Sequence, residues 1–321
     1  MLSMKKTGKT IVATAAAVGF LGGIGYGTFR EIMHRNAALP EKLSKIVNKP
    51  DENAPQFDPT TDERAIWFDN QTFEKYTITN SRGFTLAAHL LRAETPSDVY
   101  VFASHGYRNH GRGEFNVMAK FYHDKGYNVF MIDHQAAGES DGTYIGFGYH
   151  ESRDGMLWLE FMRETFGKDI QIILHGISMG SATVMLMTGN ENLPENVKFT
   201  VADCGYTSAW NEFVHNFKGW HVPTFPILNV ANFFNKKISG YDFKDTDTKE
   251  AVAKAKIPML FIHGAKDDFV PTYMGSQLYA HCGSAHKELY IAPEAAHAES
   301  YPIQSAEYEA RVNSFIEKYI K

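Results

Sequence analysis

The chain has 321 residues, 44% hydrophobic and 21% charged, a globular composition with enough apolar material for one large core. Lys+Arg 32 against Asp+Glu 37 gives a formal net charge of -5, and no basic block interrupts the main body, so nothing electrostatic favours a nucleic-acid partner. The two cysteines, Cys204 and Cys282, are too few for a disulfide framework and lie in no metal-ligand spacing.

The first ten residues, MLSMKKTGKT, are basic and lead into the uncharged run IVATAAAVGFLGGIGYGTF, Ile11 to Phe29. As a helix, roughly 19 residues are about 28 Å long, close to the hydrocarbon thickness of a bilayer. A removable signal peptide would have a shorter apolar stretch and a small-x-small cleavage site, whereas Gly25 and Gly27 flank a tyrosine. Length therefore favours an uncleaved transmembrane helix within an anchor of residues 1–35. Basic residues lie on both sides of the run and do not orient it, and the short N-terminal tail makes an extracytoplasmic body the default. Residues 36–69, with Pro40, Pro50, Pro55 and Pro59, read as a tether holding a short helix near Glu41–Val47.

A catalytic domain is expected over residues 70–321. FEKYTIT and FTLAAHLLRA flank Asn80-Ser81-Arg82-Gly83 as a hairpin. The strand-like runs VYVFASHG, YNVFMIDH and QIILHG then alternate with helical stretches near Glu114–Lys125, near Ser152–Phe166 and from Ser178. KFTVADCG, PMLFIHG and KELYIAP add three strands, and Ile303 to Ile320 closes with a helix. Short apolar strands between amphipathic helices predict an α/β fold, an eight-stranded, mainly parallel sheet covered on both faces. The stretch between VADCG and PMLFIHG is too long for one crossover and is rich in aromatics, including Trp210, Phe213, Phe217 and Trp220. Residues of about 207–250 read as a helical lid over the carboxyl ends of the strands.

Gly176-Ile177-Ser178-Met179-Gly180 lies between a strand and a helix and resembles the G-x-S-x-G nucleophile elbow of α/β-hydrolases. The alternation from about Phe73 to the C-terminus is similar to that fold. A serine at such an elbow needs small neighbours, and its helix N-terminus aims free N–H groups at a developing oxyanion. The alternative is a glycine-rich turn with Ser178 as a helix cap.

The resemblance implies the order serine, acid, histidine. His297, in PEAAHAESY, is the sole histidine beyond the last strand and takes the place of the general base. The family's HG-x-x-D-x-x-V-P pattern selects Asp267 in HGAKDDFVP, with Asp268 as a neighbour; Asp203, after the preceding strand, is a competing acid. Family comparison implies an oxyanion hole of the Met179 and Tyr107 N–H groups. Arg108, His110 and Arg112 follow in the same loop, as contacts for a polar substrate group or as surface decoration. His105-Gly106 and His263-Gly264 resemble zinc ligands only superficially. DHQAAGESDG matches a family loop in which Asp133 and Ser140 have structural roles.

The N-terminal run, ADCGYTSAW and FPILN are similar to a narrower group of bacterial membrane-associated hydrolases, esterase-like or peptidase-like. This implies a serine hydrolase needing no metal or cofactor and acting on a small-molecule ester or short peptide, with carboxylic esters the first expectation. A peptidase and a non-catalytic binding protein are the rivals.

Overall fold

The computed structural model describes residues 20–37, 58 and 60–321. Eight strands form one sheet: β1 (Glu74–Thr79), β2 (Thr85–Leu91), β3 (Val99–Ser104), β4 (Asn128–Ile132), β5 (Gln171–Ile177), β6 (Val197–Asp203), β7 (Met259–Gly264) and β8 (Lys287–Ala292). Their order is β1-β2-β4-β3-β5-β6-β7-β8. Strand β2 pairs antiparallel with β1 and with β4, and all other neighbours are parallel. Strands β3, β4 and β7 are buried at every position, which explains why their sequences are nearly continuous apolar runs. In the β1–β2 turn, the Asn80 side-chain oxygen accepts the Arg82 and Phe84 N–H groups, both at 3.0 Å, and Gly83 takes φ +81°.

Ten labelled helices surround the sheet: α1 (Glu63–Asp69), α2 (Gly111–Phe115), α3 (Ala119–His123), α4 (Tyr149–Phe166), α5 (Met179–Thr188), α6 (Ala209–Gly219), α7 (Ile227–Ile238), α8 (Thr248–Ala253), α9 (Thr272–His281) and α10 (Ser300–Tyr319). Phe68, Tyr122 and Tyr308, from α1, α3 and α10, pack with Val101, Met131 and Leu260 on one face. Trp158 and Met162 of α4 and Val184 of α5 pack with Phe102, Phe130 and Leu174 on the other. Adjacent residues Val101 and Phe102 serve opposite layers, as the strand period requires.

Three expectations need revising. The single helix near Glu114–Lys125 is two short ones, α2 and α3, because Val117, Met118 and Ala119 are buried in succession and cannot share one helical face. The stretch assigned to the end of the tether contains α1, whose N-cap Asp62 accepts the Arg64 N–H and whose Ala65 and Phe68 enter the core. The expected helix near Glu41–Val47 lies outside the described residues.

The third concerns the N-terminal run. Among the described residues no helix is long and apolar enough to cross a membrane, and positions 11–19 of the expected span lie outside them. Residues 20–33 are helical and dock on the body. Phe29 and Met33 are fully buried with Ile145, Phe147, Leu228 and Ala231. A Cβ on Gly25 would collide with Val230 of α7. Beyond this helix, Arg35 N–H donates to Thr143 O at 2.9 Å and the Arg35 guanidinium to Ser140 O at 2.8 Å. The physical reason is that an uncharged helix buries as readily against protein as against lipid, and sequence alone does not distinguish them.

Candidate active site

The site is assembled at the carboxyl ends of the parallel strands. Ser178 follows β5 and precedes α5 with φ 55° and ψ -116°, a conformation costly for a residue with a side chain. Its neighbours explain the glycines: a Cβ on Gly180 would strike the Ser104 carbonyl, and one on Gly176 would strike the backbone of Gly180. The turn is held by the Ser178 N–H, which donates to Asp203 O at 2.9 Å.

His297, in the loop after β8, reaches back over this turn. Its Nε2 is 2.9 Å from Ser178 Oγ and its Nδ1 is 2.8 Å from Asp267 Oδ2. The Asp267 side chain, after β7, is fully buried. Its Oδ1 accepts the Phe269 N–H at 3.1 Å and the Val270 N–H at 2.9 Å, while His263 Nε2 lies 3.3 Å from Oδ2. Burial raises the Asp267 pKa, but the charges and hydrogen bonds of His297 and His263 outweigh it and hold it at about 2.

Burial also works to lower the His297 pKa. The anionic groups beside it, Cys204 when ionised and Asp267, more than reverse that, and the pKa lies well above the ordinary histidine value. Since burial pushes the Cys204 thiol up to about 12, the thiol is neutral near neutral pH, and Asp267 is the charge the imidazole meets. Ligand atoms of Cys204, Asp267 and His297 lie within 4.8 Å of one another. A metal there would have to displace the hydrogen bonds of His297 and ionise a strongly buried thiol, so these donors suit proton transfer better than metal binding.

Asp203, at the end of β6, is buried, and burial pushes its carboxyl up to about 7. The imidazole hydrogen-bonds Asp267 instead. Asp268 contributes its carbonyl, which accepts from His215 Nε2 at 2.8 Å.

The loop after β3 lies against Ser178, with a Gly106 Cβ position 3.4 Å from Ser178 Cβ. Glu114 secures it, accepting the Gly106 N–H at 3.0 Å and Asn109 Nδ2–H at 2.9 Å on one oxygen. Tyr107 and Met179 line the same cavity as Ser178. Arg108 reaches the cavity too, while His110 caps α2 and Arg112 lies 3.8 Å from Glu139. Asp133 accepts the Gly111 and Glu139 N–H groups at 2.8 and 2.9 Å, and Ser140 Oγ–H donates to Asp133 O at 2.7 Å, so both fix the neighbouring loop. His105 is fully buried, its Nε2 accepting the His134 N–H at 3.0 Å; His263 Nε2–H donates to Val270 O at 2.8 Å.

The cavity encloses about 410 Å³, the size of a small-molecule pocket. Helix α6 and the residues just after it supply Phe213, Phe217, Trp220 and Val222, and Thr28, Glu31 and Ile32 of the 20–33 helix complete the wall. That helix is tied to the loop after β3: Tyr107 OH donates to Ile32 O at 2.6 Å, and Arg108 donates to the Glu31 carbonyl.

A sequence model described as serine aminopeptidase, S33, matches residues 95–235 and 244–299. The chain belongs to this family of α/β-hydrolases. Uncharacterized protein YqkD of Bacillus subtilis (strain 168) is 27% identical over 252 residues, 78% of this chain and 81% of the relative. Uncharacterized membrane protein YNL320W of Saccharomyces cerevisiae is 24% identical over 199 residues, 62% of this chain and 64% of the relative. Among solved structures, the Pyrococcus furiosus esterase Pf2001 aligns with TM-score 0.63 at 19% identity, covering 85% of this chain and 98% of its own, a likeness of fold.

Within this S33 hydrolase, sequence reasoning missed three contributors: Glu114, the 20–33 helix and Glu212, a buried carboxyl of α6 in the cavity wall. Nothing in the sequence marks either glutamate, since each reads as one more charged residue near a helix.

Proposed function

We propose that the chain is a serine hydrolase of carboxylic esters, with Ser178 as nucleophile, His297 as general base and acid, and Asp267 as the carboxylate that orients it. The observation that supports this most is the unbroken relay from Asp267 through His297 to Ser178, 2.8 Å and 2.9 Å in its two links. Ser178 Oγ attacks the ester carbonyl carbon while its proton passes to His297 Nε2. The carbonyl π electrons move onto oxygen, and the Met179 and Tyr107 N–H groups stabilise the resulting anion. Collapse expels the alkoxide, which takes the proton from His297 and leaves as an alcohol. A water then gives its proton to His297 and attacks the acyl-enzyme, and the second collapse releases the carboxylic acid and returns the proton to Ser178.

The apolar wall of Phe213, Phe217, Trp220 and Val222 favours an ester with an alkyl or aryl part. The family's description favours a peptidase as the second reading. Parallel kcat/KM measurements on p-nitrophenyl esters and aminoacyl p-nitroanilides decide between them. We expect the esters to be the faster substrates; faster anilides would overturn the choice.

We further propose that the N-terminal segment, through its basic tail and the apolar stretch preceding the docked 20–33 helix, holds the protein at a membrane, with the catalytic body extracytoplasmic. One relative is described as a membrane protein. Phe20 is 70% exposed on the 20–33 helix, and Tyr26, 41% exposed, lies edge-on to Phe234 of α7, next to the exposed Phe233, giving exposed aromatics suited to a bilayer interface. Full-length protein is expected in the membrane fraction and its active site accessible only from the outer face. Recovery of unprocessed protein wholly in the soluble fraction would refute the anchor, and labelling of Ser178 from the cytoplasmic face would refute the orientation.

A further inference from the structure

Two glutamates of the cavity wall, Glu31 and Glu212, each keep a buried Oε2 without a hydrogen-bond partner, and Glu212 is the more deeply buried. It is 3% exposed, its Oε1 accepts from Asn216 Nδ2 at 2.6 Å, and its buried Oε2 has no hydrogen-bond partner. Glu212 is among the residues that line the same cavity as Ser178, next to the apolar Phe213, Phe217 and Val270. A buried carboxyl oxygen without a partner is costly, and a ligand that supplies the missing bond recovers that cost.

We infer that Glu212 is a subsite for a substrate hydroxyl: the ester cleaved at Ser178 carries a free hydroxyl, in its alcohol or acyl part, that hydrogen-bonds Glu212 Oε2. The inference rests on the Ser178 cavity being the substrate pocket. A hydroxyl both donates and accepts, so it satisfies this oxygen in either protonation state. Burial pushes the Glu212 carboxyl up to about 8, so near neutral pH it is mostly protonated. With Oε1 engaged by Asn216, the proton belongs on Oε2 and needs an acceptor. An ammonium group offers no acceptor for that proton and would have to shed its water among apolar side chains. A plain alkyl group would leave Oε2 unpaired.

The test is calorimetric binding of glyceryl monobutyrate and propyl butyrate to the full chain carrying Ser178→Ala, which removes turnover from the measurement. We expect the hydroxylated ester to bind roughly tenfold more tightly. Glu212→Leu in the same background should bring the two esters to parity, while Glu212→Gln, whose amide still donates and accepts, should keep the preference. Equal binding of both esters with Glu212 intact overturns the inference even if Glu212→Leu fails to fold, and so does a preference that survives that substitution. Tighter binding of an alanine ester than of either butyrate also overturns it. Turnover of phenyl butyrate by the unaltered protein tests the reaction separately. Binding discrimination without turnover leaves the subsite and removes the esterase reading; turnover without discrimination does the reverse.

Discussion

Ser178→Ala is expected to lower kcat/KM toward any ester the protein hydrolyses by at least about 10⁴-fold while leaving the chain folded. The substitution removes one hydroxyl and nothing else that holds the turn. The Ser178 N–H still donates to Asp203 O, and the helix of α5 still begins at Met179. His297 keeps its bond to Asp267, so its ring remains in place over the turn. A melting temperature within a few degrees of the unaltered protein, together with lost turnover, separates chemistry from stability. Fluorophosphonate labelling adds a direct readout, since the reagent bonds to an activated serine oxygen. Equal labelling of the two proteins would mean that another residue is the nucleophile, and the relay described above would then be a structural hydrogen-bond chain.

The sheet was legible because its physics is local. Runs such as VYVFAS, NVFMI and QIILHGI are apolar over a strand's length, and strands covered on both faces require that. The turn at Ser178 was legible for a similar reason: Gly176 and Gly180 are positions where no side chain fits, and the sequence carries that steric fact directly. The convergence of Ser178, Asp267 and His297 was reached through family resemblance, because their separations of 30 and 119 residues carry no local signal.

What stayed hidden depends on long-range packing. Phe29 and Met33 have the same apolar character whether they face lipid or Leu228 and Ala231. The aromatics between β6 and β7 divide in a way no pattern announces: Phe213, Phe217 and Trp220 reach the cavity, whereas Phe225 and Phe233 are exposed. Glu212 sits between Asn211 and Phe213 in an amphipathic helix and reads as part of its wet face, yet α6 turns it inward. A buried carboxyl of this kind appears only when the neighbours are known.

Asp267→Asn should cost about 10⁴-fold in kcat, and the reason lies in which oxygen is already committed. Oδ1 accepts the Phe269 and Val270 N–H groups, and Oδ2 faces His297 Nδ1 and His263 Nε2. The amide of the variant will keep its carbonyl oxygen on those two backbone donors and turn its NH2 toward His297. Nδ1 must then accept, which places the imidazole hydrogen on Nε2, facing Ser178 Oγ, where a base is required. The same substitution removes the negative charge that raises the His297 pKa. Below its pKa the imidazole is protonated and cannot take the serine proton, so activity falls as pH drops through that value. The acid limb of kcat/KM in Asp267→Asn should therefore lie at lower pH than in the unaltered protein, with the residual activity extending further into acid. A variant with unchanged kcat, or an acid limb that does not move downward, would transfer the orienting role from Asp267 to another carboxylate, with Asp203 the next to test.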